Sequence, residues 1–315
     1  MVELGDAFVT QSAPHIQRTI CYDIEAAHHR AALAVAALPP LETAFLNACD
    51  GGWIRAARLP HLQLTNLEAI TRMHRYLRQP LDCAKGITVG LDGKPFDQYG
   101  DNIIGNVYKA EGDNNHILLH HALRDTVQEI AHAAGLVCTV EQPGAVAGSE
   151  RRPNDVGLPL NHGYKPAGTK GLWGDITVWS ATAPSRVASA VRGRDELCAA
   201  ASRSKRVKYA RDIPDYIYFL PLPCTTEGRF GPVWSTLLHG FAAHWATRSN
   251  IIGPDIDLLH QHWWANKLAI VHARFTARCL LERCKACHRA VDAGHELPTP
   301  SLADLDTCMT SAGRA

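Results

Sequence analysis

The order of periodicities between His116 and Ala246 constrains the fold more than any other feature of the chain. "HILLHHALRDTVQEIAHAAG" places Leu119, Leu123, Val127, Ile130 and Ala134 at helical spacing, and Gly135 stands where a helix stop belongs. Three short runs follow: "LVCTVEQP", "NDVGL" and "WGDITVW", the last with β-branched Ile176, Thr177 and Val178. "RDELCAAASRSKRVKYARD" reads as a helix, "YIYFLPLP" as a strand, and "GPVWSTLLHGFAAHWA" as a helix with Pro232 near its start. Helices interleaved with strands cover the faces of a sheet, so the order α-β-β-β-α-β-α argues for an α/β layered domain.

The flanks read differently. Residues 1–80 form a helical region. "IEAAHHRAALAVAAL" ends at Pro39-Pro40, and "NLEAITRMHRYLRQP" has Asn66 as expected N-cap and Leu67, Ile70, Met73 and Leu77 on one apolar face. Residues 81–116 are rich in Gly, Asp and Asn without sustained period, which is loop composition. A loop that long inside a compact domain needs something to clamp it. The α/β unit is expected over 117–247. A C-terminal helical tail follows over 248–315, with a loosely ordered end.

Composition narrows the class. With 315 residues, 46% apolar and 20% charged, the chain is globular and can bury a sizeable core. A net charge of +1 excludes global basicity, so any nucleic-acid binding must come from a local patch. "MVELGDAFVTQS" has no signal-peptide pattern, and no apolar run is long enough to span a bilayer. The expected setting is intracellular, away from membranes. The ten scattered cysteines then read as reduced thiols.

Three constellations can carry chemistry. Glu141, Asp155 and Asp175 sit at three consecutive strand-like segments, so one sheet can bring them to one end. Acids at strand ends are usually solvated. The alternative is a shared cation, because neighbouring carboxylates repel without one, and oxygen ligands suit Mg²⁺ or Mn²⁺. The run "SRSKRVKYARD" holds Arg203, Lys205, Arg206, Lys208 and Arg211 on a helix, with Lys205 and Lys208 on one face. It is either a solvated face or a phosphate-contacting one. His116 and His120 have i, i+4 spacing with His121 beside them, a geometry that can hold zinc, but no companion Glu motif is present. "CKACH" at 284–288 matches a haem-attachment string and reads as a chance match. A zinc site from Cys279, Cys284, Cys287 and His288 or His295 is the remaining reading of those cysteines.

From about Trp53 to Trp245 the chain resembles the C-terminal part of a non-LTR retrotransposon reverse transcriptase-like protein, which bears a restriction-enzyme-like endonuclease of the PD-(D/E)XK superfamily. "GGWIRAARLPHLQLTNLEAITRMHRYLRQPL" resembles the linker before that family's zinc knuckle. "HHALRDTVQEIAHAAGLVCTVEQP" resembles its Arg-His-Asn helix and next strand, although Leu119-His120-His121 stands at the motif. "RPNDV", "GDITVW", "KRVKY" and "PLPCTTEGRFG" resemble four further elements, all in the family's order.

The resemblance implies a PD-(D/E)XK core and a Mg²⁺- or Mn²⁺-dependent DNA endonuclease acting in the nucleus on DNA, with RNA of the element as a further partner. It assigns the metal carboxylates to Asp155 and Asp175, with Glu141 as a further acid. It assigns the catalytic lysine to Lys205 or Lys208, with Thr177 at the place where the plain superfamily pattern has lysine. Nucleic-acid contacts would come from Arg152, Arg203, Arg206, Tyr209, His120 and Arg124. The knuckle has decayed: Cys83 remains, but Lys85, Asn102 and Asn106 replace the other ligands, so no structural zinc is expected at 83–106. "LNHGYKPAGTK" reads as an insertion in the hairpin between Asp155 and Asp175. The alternative function is an inactive remnant that binds nucleic acid or protein.

Overall fold

The computed structural model describes residues 39–56, 63–90, 96–105, 115–141, 153–159, 168–250 and 256–293. The N-terminal part holds helices α1 (Pro40–Ala48), α2 (Gly52–Ala56) and α3 (Asn66–Tyr76), a 3-10 turn at Asp82–Ala84, and α4 (Asp101–Gly105). Helix α5 (Asn115–Ala133) then leads into strands β1 (Thr139–Val140), β2 (Val156–Pro159) and β3 (Gly171–Trp179). Helices α6 (Pro184–Val191) and α7 (Glu196–Tyr209), strand β4 (Ile217–Thr225), and helices α8 (Pro232–Ser249) and α9 (Ile256–Asp292) complete the set. The class is mixed α/β. Every strand expected from sequence is present, β1 as only two residues. Helix α6, carried by "PSRVASAV", was not anticipated. The helix expected over 24–38 lies outside the described residues.

The sheet has the order β1-β2-β3-β4. The first three strands are antiparallel, and β4 runs parallel to β3. Side chains alternate across the pleat. Leu172 and Ile176 of β3 and Leu220, Leu222 and Cys224 of β4 therefore share one face. They bury against Leu119, Leu123, Val127 and Ile130 of α5 and Leu237, Leu238 and Phe241 of α8. The opposite face takes α7, where Tyr209 meets Phe219 edge to face with ring centroids 5.7 Å apart. Trp173, Asp175 and Thr177 belong to that second face.

The long helix α9 is not an appended tail. Trp264 and Leu268 join the main core, Ile270 and Ala273 pack with Phe45 and Trp53, and Leu280, Cys284 and Cys287 pack with Leu81, Ile103 and Ile104. The described parts of the Gly-rich stretch, 81–90 and 96–105, are thus clamped by apolar contact. Cys284 and Cys287 of "CKACH" serve as small apolar side chains in that cluster.

Helix α3 departs from expectation. Its N-cap is Thr65, not Asn66. The Glu68 N–H donates to Thr65 Oγ1 at 3.2 Å, and the Thr65 N–H donates to Glu68 Oε2 at 2.8 Å, a complete capping box. Most of the expected apolar face is turned outward: Leu67, Ile70 and Leu77 are exposed and only Met73 packs inward against the Phe45 cluster, while Arg72 and Arg75 are fully buried. The reason is a buried acid. Glu227 accepts the amide of Ala181 at 3.2 Å and the hydroxyl of Thr226 at 2.7 Å, and Arg75 Nη2 stands 3.7 Å from its carboxylate. Arg72 donates to the Glu227 carbonyl, and Arg75 also donates to Asp101 at 2.7 Å. A buried charge needs its counter-charge more than an apolar stripe needs cover.

Gly135 ends α5 at a φ of +83°, and a Cβ there would come 1.7 Å from Arg248 Nη1. Gly135→Ala is expected to cost about 1–2 kcal/mol from the left-handed backbone alone, read as a lower urea midpoint with unchanged slope.

Candidate active site

Register carries the three acids to one end of the sheet. Val156 pairs with Gly174, so the next residue, Asp155, stands across from Asp175. Val140 pairs with Val156, and the Glu141 N–H donates to the Asp155 carbonyl at 3.3 Å, so Glu141 stands across from Asp155. The three lie in a row over β1, β2 and β3.

Asp155 and Asp175 line one cleft of about 440 Å³ together with His120, His121, Thr177, Lys205 and Tyr209. Each carboxylate is held by specific donors. Asp155 Oδ2 accepts the Ile176 N–H at 2.6 Å, just beyond the last β2–β3 rung, and His120 Nε2 at 2.8 Å. Asp175 Oδ2 accepts Lys205 Nζ at 2.8 Å and the Thr177 hydroxyl at 3.2 Å. The geometry therefore separates the two lysines. Lys205 reaches the aspartate, whereas the Lys208 ammonium lies 4.7 Å from the centroid of the Tyr209 ring.

Electrostatics records the crowding. Burial first, and the negative charge of Asp155 second, push the Asp175 carboxyl up to about 6, against the pull of Lys205. Burial and the neighbouring Asp175 push the Tyr209 hydroxyl up to about 12, so it stays protonated at neutral pH. With Lys205 positive, the two aspartates leave this cluster short of positive charge.

Glu141 is placed in the row but its carboxylate goes elsewhere. It accepts from Arg124 and lies 3.6 Å from His121 Nε2. Arg124 also bonds Asp125 at 2.8 Å.

Among the expected nucleic-acid contacts, Arg203 and Arg206 are exposed on α7. Tyr209 is 3% exposed and packs edge to face on Phe219 while lining the cleft, so its ring offers little surface for a base to stack on. His120 is engaged by Asp155. Arg152, the side chain of His116 and the insertion at 160–167 lie outside the described residues. His120 and His121 as partners of the acids went unread in the sequence. The signal was there, since they and Arg124 form the polar side of a helix whose other side, Leu119, Leu123 and Val127, is core.

Comparison with protein-family models and with curated proteins finds no match for this chain. Among the described residues no helix is long and apolar enough to cross a membrane.

Because the folded chain holds its Asp175 proton up to about 6, it binds more protons than the unfolded chain above the ordinary carboxylate range. Stability then falls as pH rises through that window. In metal-free buffer, Asp175→Asn should gain on wild type by about 2–3 kcal/mol between about pH 4 and pH 7. Denaturation midpoints at the two pH values check this, and a pH-independent difference rejects it.

Proposed function

We propose that the chain is a divalent-metal-dependent DNA endonuclease with a PD-(D/E)XK core, derived from a non-LTR retrotransposon and acting in the nucleus. The observation that carries this reading is the juxtaposition of Asp155 and Asp175 across β2 and β3 with Lys205 on Asp175. The strand pairing supports it, because three antiparallel strands followed by a helical crossover to a parallel fourth keep the order read from sequence. The donor set fits a hard cation: two carboxylates, one with its pKa raised by burial and then by the other's charge.

Asp155 and Asp175 would hold Mg²⁺ or Mn²⁺. When bound, such an ion polarises a phosphoryl oxygen and lowers the pKa of water. The Ile176 amide and His120 fix the orientation of Asp155. Thr177, standing where the plain pattern has lysine, orients Asp175 instead of donating charge. Lys205 brings that charge from the helix, and its ammonium can hold the scissile phosphate and offset charge that develops there. Arg203, Arg206 and Lys208, exposed on the same helix, suit flanking phosphates.

Nicking of supercoiled DNA with Mg²⁺ or Mn²⁺ tests the reading. Wild type is expected to nick and Asp175→Ala to be inert. Equal inertness of both rejects catalysis under those conditions. Lys205→Ala should lower the nicking rate by about 10²–10³-fold, while Lys208→Ala stays within about tenfold.

One observation favours a second reading, an inactive remnant that binds nucleic acid or protein. Each acid already has a cationic or polar partner within the chain: His120 on Asp155, Lys205 on Asp175, Arg124 on Glu141. A closed network of that kind predicts DNA binding that Mg²⁺ does not strengthen.

A further inference from the structure

The cleft carries a second set of ligating side chains beside the aspartates. His120 and His121 are successive residues of α5, and Glu141 follows β1 directly. One ligand atom from each lies within 4.8 Å of the others. Their side chains are 21%, 42% and 27% exposed, so they can be reached from solvent and have room to turn.

We propose that His120, His121 and Glu141 form a second cation site, selective for a borderline transition ion such as Zn²⁺. Two imidazoles and one carboxylate make an open three-ligand set, which leaves a position for water. Nitrogen ligands favour Zn²⁺ over Mg²⁺, whereas the all-oxygen pair of Asp155 and Asp175 favours the reverse. The two sites therefore differ in the ion they take, not only in place.

The surroundings suit this assignment. A ligating imidazole is commonly oriented by a carboxylate on its other nitrogen. His120 has a carboxylate in that role at hand: its Nε2 is 2.8 Å from Asp155 Oδ2, which leaves Nδ1 as the nitrogen to offer an ion. Glu141 is held at a φ of +42°, a conformation that side chains other than glycine rarely adopt. Its carboxylate is now taken by Arg124. That guanidinium has a second acid in Asp125, 2.7 Å from Arg124 Nη2, so it keeps a partner if Glu141 turns to an ion. Bonds of about 2.0–2.1 Å need ligand atoms about 3.3 Å apart, so no pair of the three needs to draw together by more than about 1.5 Å, within reach of partly exposed rotamers.

Asp155 is common to both sites, since it is one of the two proposed Mg²⁺ ligands and its Oδ2 also meets His120 Nε2. The inference does not depend on DNA cleavage, because the site is read by ion binding alone.

Titration of the full chain with Co²⁺, followed by its visible absorption, tests it. Wild type should bind with nitrogen and oxygen ligation. His121→Ala and Glu141→Gln should each weaken this nitrogen-ligated binding by at least about tenfold, whereas Asp175→Asn should keep the nitrogen-ligated spectrum. His121 and Glu141 lie at the surface, so neither change removes core packing. Unchanged binding in both His121→Ala and Glu141→Gln overturns the site. So does binding that only Asp175→Asn abolishes, which would place the ion on the aspartates. A sulfur-to-cobalt charge-transfer band of equal strength in every variant places the ion on cysteines and overturns it as well.

Discussion

The parallel pairing of β3 with β4 is the constraint on which the rest depends. Nine residues of each strand pair in register, from Gly171 with Ile217 to Trp179 with Thr225. Parallel neighbours cannot be joined by a tight turn, so the chain must leave the sheet and return. Helices α6 and α7 make that return on the face that carries Trp173, Asp175 and Thr177. Lys205 reaches Asp175 because the crossover has nowhere else to lie. A lysine placed in the strand at Thr177 would need no such helix. Here the topology supplies the charge that the strand lacks.

A second constraint fixes the N-terminal helices. Glu227, fully buried just past β4, is pushed by burial toward its neutral form and held back by Arg75. His272 of α9 lies in the same region, with its Nε2 2.8 Å from the Thr225 carbonyl, and burial drives its pKa down to about 3, so it stays neutral there. Breaking one partner of such a network leaves a stranded charge, which costs more than the network contributes when whole. The helices are thereby specified in position more than they are strengthened.

Local signals in the sequence were read well where one force dominates. The stripe of Leu119, Leu123, Val127 and Ile130, the β-branched run of β3 and Pro232 at the start of α8 all gave the observed element. The acids at strand ends were also legible, because antiparallel register turns adjacent hairpin ends into neighbours. The failures share a cause. In α3 the apolar periodicity pointed one way and a buried acid more than 150 residues distant pointed the other. Nothing local to "NLEAITRMHRY" announces Glu227. The same holds for Lys205 against Lys208, for the pairing of His120 with Asp155, and for the departure of Glu141 toward Arg124. Each is decided by contacts between segments far apart in sequence. The burial of Tyr209 depends on Phe219, which only the folded crossover brings beneath it.

Helix α9 has a consequence for how the molecule comes apart. Its successive turns enter three separate apolar clusters: the sheet core at Trp264 and Leu268, the α1–α3 cluster at Ile270 and Ala273, and the 81–105 cluster at Leu280 and Cys284. A helix that frays from its C-terminal end exposes the 81–105 cluster first and the sheet core last. The helix thereby ties the sheet to the N-terminal helices through continuous apolar contact.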